Sequence, residues 1–87
     1  MRLDKFLKVS RIIKRRTVAK EISDAGHILV NDRKAKSSTK IEIGDIITLD
    51  YANKTLTLEV KDLRDSVKKD DATSLYTILD ESYKNQE

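Results

Sequence analysis

Arg15-Arg16-Thr17-Val18-Ala19-Lys20-Glu21-Ile22-Ser23-Asp24-Ala25-Gly26-His27-Ile28-Leu29-Val30 changes its periodicity in the middle, and that change sets the fold. Val18, Ala19, Ile22 and Ala25 recur at three- and four-residue spacings, which predicts a helix from about Arg15 or Arg16 to Ala25 that buries those four side chains. Gly26 stands where the residue after a helix takes positive φ at no steric cost. Ile28-Leu29-Val30 then reads as a short apolar strand. A helix this short does not persist alone, so it has to be held by packing.

Upstream, Leu3, Phe6 and Leu7 stand at i, i+3 and i+4 and predict a second short amphipathic helix, with Lys5 and Lys8 on its outer side. Ile12 and Ile13 turn the chain into the core. Downstream the reading is β. Asn31-Asp32-Arg33-Lys34 is a polar turn, Lys36 to Lys40 an exposed loop, and Gly44-Asp45 a turn before a strand from Ile46 to Tyr51. Asn53-Lys54 reverses the chain into Thr55 to Lys61, where Leu56, Leu58 and Val60 alternate with Thr57, Glu59 and Lys61. From Lys68 onward the pattern becomes helical. Asp70 or Asp71 is placed to cap a helix, Leu75, Ile78 and Leu79 form one stripe, and Tyr76 and Tyr83 lie seven apart beside it. The expectation is an α+β domain whose C-terminal helix docks on the sheet, with Lys84 to Glu87 frayed.

At 87 residues the chain forms one small domain, with no internal repeat. There is no Cys and His27 is the sole His, so disulfides, thiolate zinc sites and histidine metal clusters are excluded. No Trp, one Phe and three Tyr argue against rows of stacked aromatics for single strands. No apolar run reaches the roughly 20 residues of a membrane span, and no secretory h-region follows the basic N-terminus. The expectation is a cytoplasmic protein that contacts no membrane. Neither a Ser-His-Asp set, a Gly-rich phosphate loop nor a paired catalytic carboxylate stands out, so neither enzymatic activity nor a cofactor is expected.

Charge is segregated. Residues 1–20 hold eight Lys or Arg against Asp4, a balance of +7; the other 67 hold ten basic and fourteen acidic groups, a balance of −4, and the two sum to +3. Like charges gathered at one end raise the energy of the free chain, and a polyanion offsets that cost, nucleic acid first. Lys14-Arg15-Arg16 opens the second helix, where the macrodipole disfavours cations and backbone N–H groups favour phosphate. Arg15 and Arg16 can each grip phosphate with two parallel hydrogen bonds. The bland alternative is a solvated basic turn. Lys20, one turn after Arg16, either continues a phosphate track or pairs with Asp24. Arg2 and Arg11 flank the first helix and either converge on Arg15 and Arg16 or pair with Asp4 or another carboxylate. Asp4 is read as an organiser, at the helix start or holding an Arg. Lys36 with Ser37 and Ser38 either grips a sugar–phosphate backbone or is a solvated loop. His27 is read as a surface residue.

Met1 to Leu7, Lys14 to Ala19, Gly26 to Asn31, Lys36-Ser37-Ser38 and Ile43-Gly44-Asp45, in that order, resemble the small RNA-binding domain named for ribosomal small-subunit protein four. The resemblance covers about residues 1–61 and implies two short helices packed on a small twisted antiparallel sheet; residues 62–87 are read from their own pattern as a C-terminal helical extension of the same domain. The resemblance places Arg2, Arg11, Arg15, Arg16 and Lys20 on the RNA side, and the charge and loop reading adds Lys14 and Lys36 as candidates. Lys14 to Glu21 and Leu75 to Leu79 are similar to stand-alone members that act in bacterial ribosome quality control, relatives of the fifteen-kilodalton heat-shock protein. That likeness implies binding to a large ribosomal subunit obstructed by peptidyl-tRNA, with contacts to large-subunit rRNA and the tRNA. An alanine-tailing factor would be the working partner, and the chain would be a monomer off the ribosome. The chain departs from the heat-shock relative's long basic extension, since residues 62–87 hold seven acidic and four basic groups. Two other functions fit the sequence: a protein-interaction module working through its C-terminal helix, and a non-catalytic RNA-binding subunit of an rRNA-modifying enzyme.

Overall fold

The computed structural model describes residues 1–83. Two α-helices, α1 (Leu3–Val9) and α2 (Arg16–Asp24), pack on a sheet of five antiparallel strands: β1 (Ile28–Val30), β2 (Arg33–Lys34), β3 (Ile46–Tyr51), β4 (Lys54–Val60) and β5 (Tyr76–Tyr83). A 3-10 helix, Lys69–Leu75, joins the last two strands. The spatial order is β2-β1-β3-β4-β5. The expected α+β class therefore holds.

Leu3, Phe6 and Leu7 of α1 meet Ala19, Ile28, Ile47, Leu49, Leu56, Leu58 and Val60 in one core. Leu56, Leu58 and Val60 are buried while Thr57 and Glu59 between them are only partly so, which is the alternation read from the sequence. Ile13, 2% exposed, carries the connection between the helices into that core. Gly26 ends α2 at φ +86°, as predicted. Asn31 and Asp32 follow with φ +52° and +67°, the left-handed pair that closes a two-residue hairpin with the sheet's own twist. That turn is tighter than expected, so Arg33 and Lys34 belong to β2 rather than to the turn.

Two further expectations about the fold fail. Ala25 is exposed, and Ser23 takes its place in the interior, its hydroxyl donating to the Ala19 carbonyl at 2.7 Å. The tail is helical only over Lys69–Leu75; the stripe that was to run on through Ile78 and Leu79 is instead β5, paired with β4 from Val60↔Tyr76 to Lys54↔Tyr83. The reason is non-local. A helix there would leave the N–H and C=O groups along one side of β4 without a ladder, whereas Tyr76-Thr77-Ile78 is β-branched and aromatic and suits a strand. A bulge between Thr57 and Leu58 absorbs one extra β5 residue. The expected fraying of Lys84 to Glu87 lies outside the described residues.

Arg11 directly follows α1 and its cap residue Ser10, and it holds φ +62°. Its N–H donates to the Lys8 carbonyl at 3.0 Å, so it occupies the position after a helix that glycine usually fills. The left-handed conformation costs a residue with a Cβ about 1–2 kcal/mol. Buried neighbours hold it there: Ser10, 1% exposed, and Ile13, whose N–H donates to the Leu7 carbonyl at 3.1 Å.

Leu58 lies at the centre of the sheet and is fully buried. Leu58→Ala is expected to lower unfolding free energy by about 2–5 kcal/mol, while Lys61→Ala at the exposed strand end leaves it within about 0.5 kcal/mol. Urea denaturation followed by far-ultraviolet dichroism measures both.

Candidate nucleic-acid interface

The N-terminus of α1 is stitched to the loop before β3. Leu3 N–H donates to Thr39 O at 2.8 Å, Asp4 N–H to Ser37 O at 3.1 Å and Ile41 N–H to Met1 O at 2.7 Å. These bonds set Arg2 opposite Lys40 and bring the Lys36–Lys40 loop beside the helix start.

At this junction the Asp4 carboxylate is only 2% exposed. It accepts the Lys5 backbone N–H at 2.8 Å, two bonds from the Arg2 guanidinium at 3.2 Å each, and a longer one from Arg16 Nη2 at 3.5 Å. Burial pushes its pKa up; the Arg2 hydrogen bond and the charges of Arg16 and Arg2 outweigh that, so the net shift is downward and the group is ionised at neutral pH. The Arg2 and Arg16 side chains stay 49% and 46% exposed. Two cations on one anion leave the trio with a charge of +1. The buried carboxylate fixes the inner edge of two guanidiniums and leaves outer N–H groups for a further acceptor. The reading of Asp4 as an organiser is what the geometry displays.

Arg16, Lys20 and Asp24 follow at spacings of four along one face of α2. Lys20 does pair with Asp24, at 2.9 Å. The same carboxylate accepts the Ser37 N–H at 2.9 Å and its hydroxyl at 3.2 Å. Ser37, 4% exposed, therefore spends its donors inside the protein, and the sugar–phosphate grip proposed for it is not available. Lys36 remains exposed beside it. The Ser37 backbone bond, then the Lys20 bond, hold the Asp24 pKa down to about 2.

The seven predicted cations thus divide. Arg2, Arg16, Lys20 and Lys36 border the α1 start, α2 and the loop anchored to both. Arg11 and Lys14 line a groove with Lys8, a residue that sequence reading set on the outer side of α1 without giving it a site. Its three-residue spacing to Arg11, across the end of α1, was the available signal. Arg15 lines a shallow depression with Lys14, Val18 and Tyr51. Arg15 also caps α2 without a side-chain acceptor, and the first turn holds no acidic residue. Lys5, expected outside, is partly buried and pairs with Asp65 at 2.9 Å. His27 is exposed. The described residues contain no cluster of three metal-ligating groups and no helix long and apolar enough to cross a membrane. Ile78, Leu79 and Tyr83 are exposed on a strand, so the interaction-module alternative loses the helix it required.

A basic helix pair set on a small antiparallel sheet defines a class, and the profile of the S4 domain matches residues 1–47, from α1 into β3. The chain is 52% identical over 81 residues to the RQC P-site tRNA stabilizing factor of Bacillus subtilis, spanning 93% of this chain and 94% of that one. It is 54% identical over 82 residues to the protein of that name from Streptococcus pneumoniae, spanning 94% and 93%. Among solved structures, heat shock protein 15 of Vibrio cholerae, described as trimeric, superposes with a TM-score of 0.84 at 32% identity, over 90% of this chain and 80% of that one. The chain belongs to the S4 domain family and, within it, to the family of RQC P-site tRNA stabilizing factors.

Asp24 supplies a pH test. Its folded pKa of about 2 lies below the ordinary 3.8, so its ionised form favours the folded state. That stabilisation is complete above the unfolded value and is lost as pH falls from there through the folded value. Carbon-detected NMR titration should place the Asp24 carboxyl midpoint near 2, and Lys20→Ala should move it part of the way up, the Ser37 bonds remaining. A midpoint at 3.8 in the unmodified protein would remove the clamp.

Proposed function

We propose that this protein is an RNA-binding factor of ribosome quality control. It binds the large ribosomal subunit left obstructed by peptidyl-tRNA, contacts large-subunit rRNA and the tRNA, and holds the tRNA in the P site. A partner factor then extends the stalled nascent chain with alanine. The mechanism is positional: the protein brings no reacting group and no cofactor, works in the cytoplasm and is a monomer off the ribosome. Residues 1–61 form the RNA-binding part, and residues 62–87 extend the same domain.

The observation that carries this reading is the Arg2–Asp4–Arg16 trio. A structural ion pair needs one cation for a buried carboxylate, and here two half-exposed guanidiniums share it, leaving net positive charge in a fixed orientation. Lys20 and Lys36 lie farther along the same region. Such an array suits the backbone and shape of folded RNA rather than base-by-base readout. The near full-length likeness to RQC P-site tRNA stabilizing factors supports the choice of RNA.

Sedimentation with purified, tRNA-obstructed large subunits over a range of salt tests it. Arg16→Ala is expected to weaken binding and to lower the slope of log affinity against log salt by about one unit. Arg16→Lys keeps the charge but not the planar fork and should recover only part of the affinity. Unchanged affinity and slope in Arg16→Ala would take Arg16 out of the interface.

A further inference from the structure

The two edges of the sheet are built differently. β2 is two residues long, and both of them, Arg33 and Lys34, are exposed. Short length and cations are two means by which an edge discourages further pairing. β5, the other edge, runs for eight residues, Tyr76–Tyr83, and contains no Lys, Arg or Pro. Every second residue of an edge strand turns its N–H and C=O away from the sheet, so a line of free donors and acceptors about 26 Å long faces solvent. The bulge at Leu79 interrupts this line once, and Asp80 to Tyr83 return to regular register with β4.

The side chains of the same strand add a second, independent sign. Ile78, Leu79 and Tyr83 are 44%, 51% and 52% exposed, three of the four large apolar side chains exposed among the described residues. Beside them stand two carboxylates. Glu81 is held by Lys54 of β4 at 3.0 Å, while Asp80 meets the Ser82 hydroxyl at 3.5 Å and no cation among the described residues.

We infer that β5 is a docking edge for an extended segment of a partner protein. The segment adds to the sheet as a sixth strand, packs apolar side chains on Ile78 and Leu79, and sets a Lys or Arg against Asp80. RNA is the poorer occupant, because β5 offers its phosphates two acids and no cation. A second copy is also poorer. Full antiparallel overlap of β5 with itself sets Leu79 opposite Asp80, which crowds both Asp80 carboxylates into the middle of a pairing with no cation in either strand. β5 lies four strand spacings, about 19 Å, from β2 and the Lys36–Lys40 loop beyond it. The edge therefore stays open while the basic end is occupied, and the inference stands without the RNA-binding reading.

Titration of the full chain with a synthetic peptide of about ten residues, lysine alternating with valine, tests the edge by amide NMR. The β5 signals should move and the β2 signals should not. A glutamate–valine peptide should bind about three- to tenfold more weakly, and Asp80→Lys, at an exposed position, should reverse that order. The lysine–valine peptide with every backbone nitrogen methylated has no ladder donors and should leave β5 unmoved. Arg16→Ala should bind the peptide as the unmodified chain does, so loss of the edge and loss of RNA binding are read separately. If the lysine–valine peptide leaves β5 unmoved, or if both peptides bind the unmodified chain equally, the charge-selected docking edge is lost. If β5 signals move instead with protein concentration, or with a short oligoribonucleotide, the occupant is a second copy or RNA and the assignment is overturned.

Discussion

A carboxylate that is 2% exposed has to be answered by donors, and the whole basic end of this protein is arranged around the way Asp4 is answered. Its partners come from three places: the helix it begins, the residue before that helix, and the start of the next helix. One buried charge thus joins α1 to α2 at their N-terminal ends, where apolar contact alone would fix distance but not rotation. Replacing the carboxylate with an apolar group would leave Arg2 and Arg16 without a common anchor. Their half-exposed guanidiniums would then sample many rotamers, and binding an anion would first cost the entropy of ordering them. Stability and the proposed recognition therefore share this residue.

The anchored loop obeys the same constraint. Ser37 sends its carbonyl to the Asp4 N–H and its own donors to Asp24, so one short segment ties the beginning of α1 to the end of α2. Acidic residues in the basic region are few, and they are placed to orient cations rather than to cancel them. Asp4 is shared by two arginines, and Asp24 is divided between Lys20 and Ser37.

Much of this was legible in the sequence, because the elements that decide the fold are locally encoded. The switch of period across Gly26 and the alternation of Leu56, Leu58 and Val60 each concern side chains a few residues apart, and both survive in the structure. What was not legible depends on distant chain. Leu75, Ile78 and Leu79 satisfy a helical spacing, yet three residues cannot distinguish a stripe from a coincidence; the open edge of β4, some twenty residues earlier, decides for a strand. The depth of Asp4 had a local hint, since it lies three residues before Leu7 on the inward side of α1. The use of Ser37 had none, because Asp24 stands thirteen residues before it, with β1 and β2 between them.

The conflicts between local preference and observed structure are not spread evenly. Arg15 opens α2 without a capping acceptor, no acid stands in that helix's first turn, and Arg11 holds a glycine conformation after α1. Each choice makes the isolated domain less stable than a simple substitution would. In contrast, β3 and β4 follow their sequence preferences, with buried and exposed positions in register along both strands. Ala52, in the turn between them, holds a left-handed conformation too, at φ +56°, but along their length these two strands agree with their sequence and can carry the strain of a helical end that does not. Sites that trade stability for charge and fixed geometry are where binding is expected, and in this chain they gather on the two helices and the turn between them. The sheet is the support on which both helices and the turn between them are held.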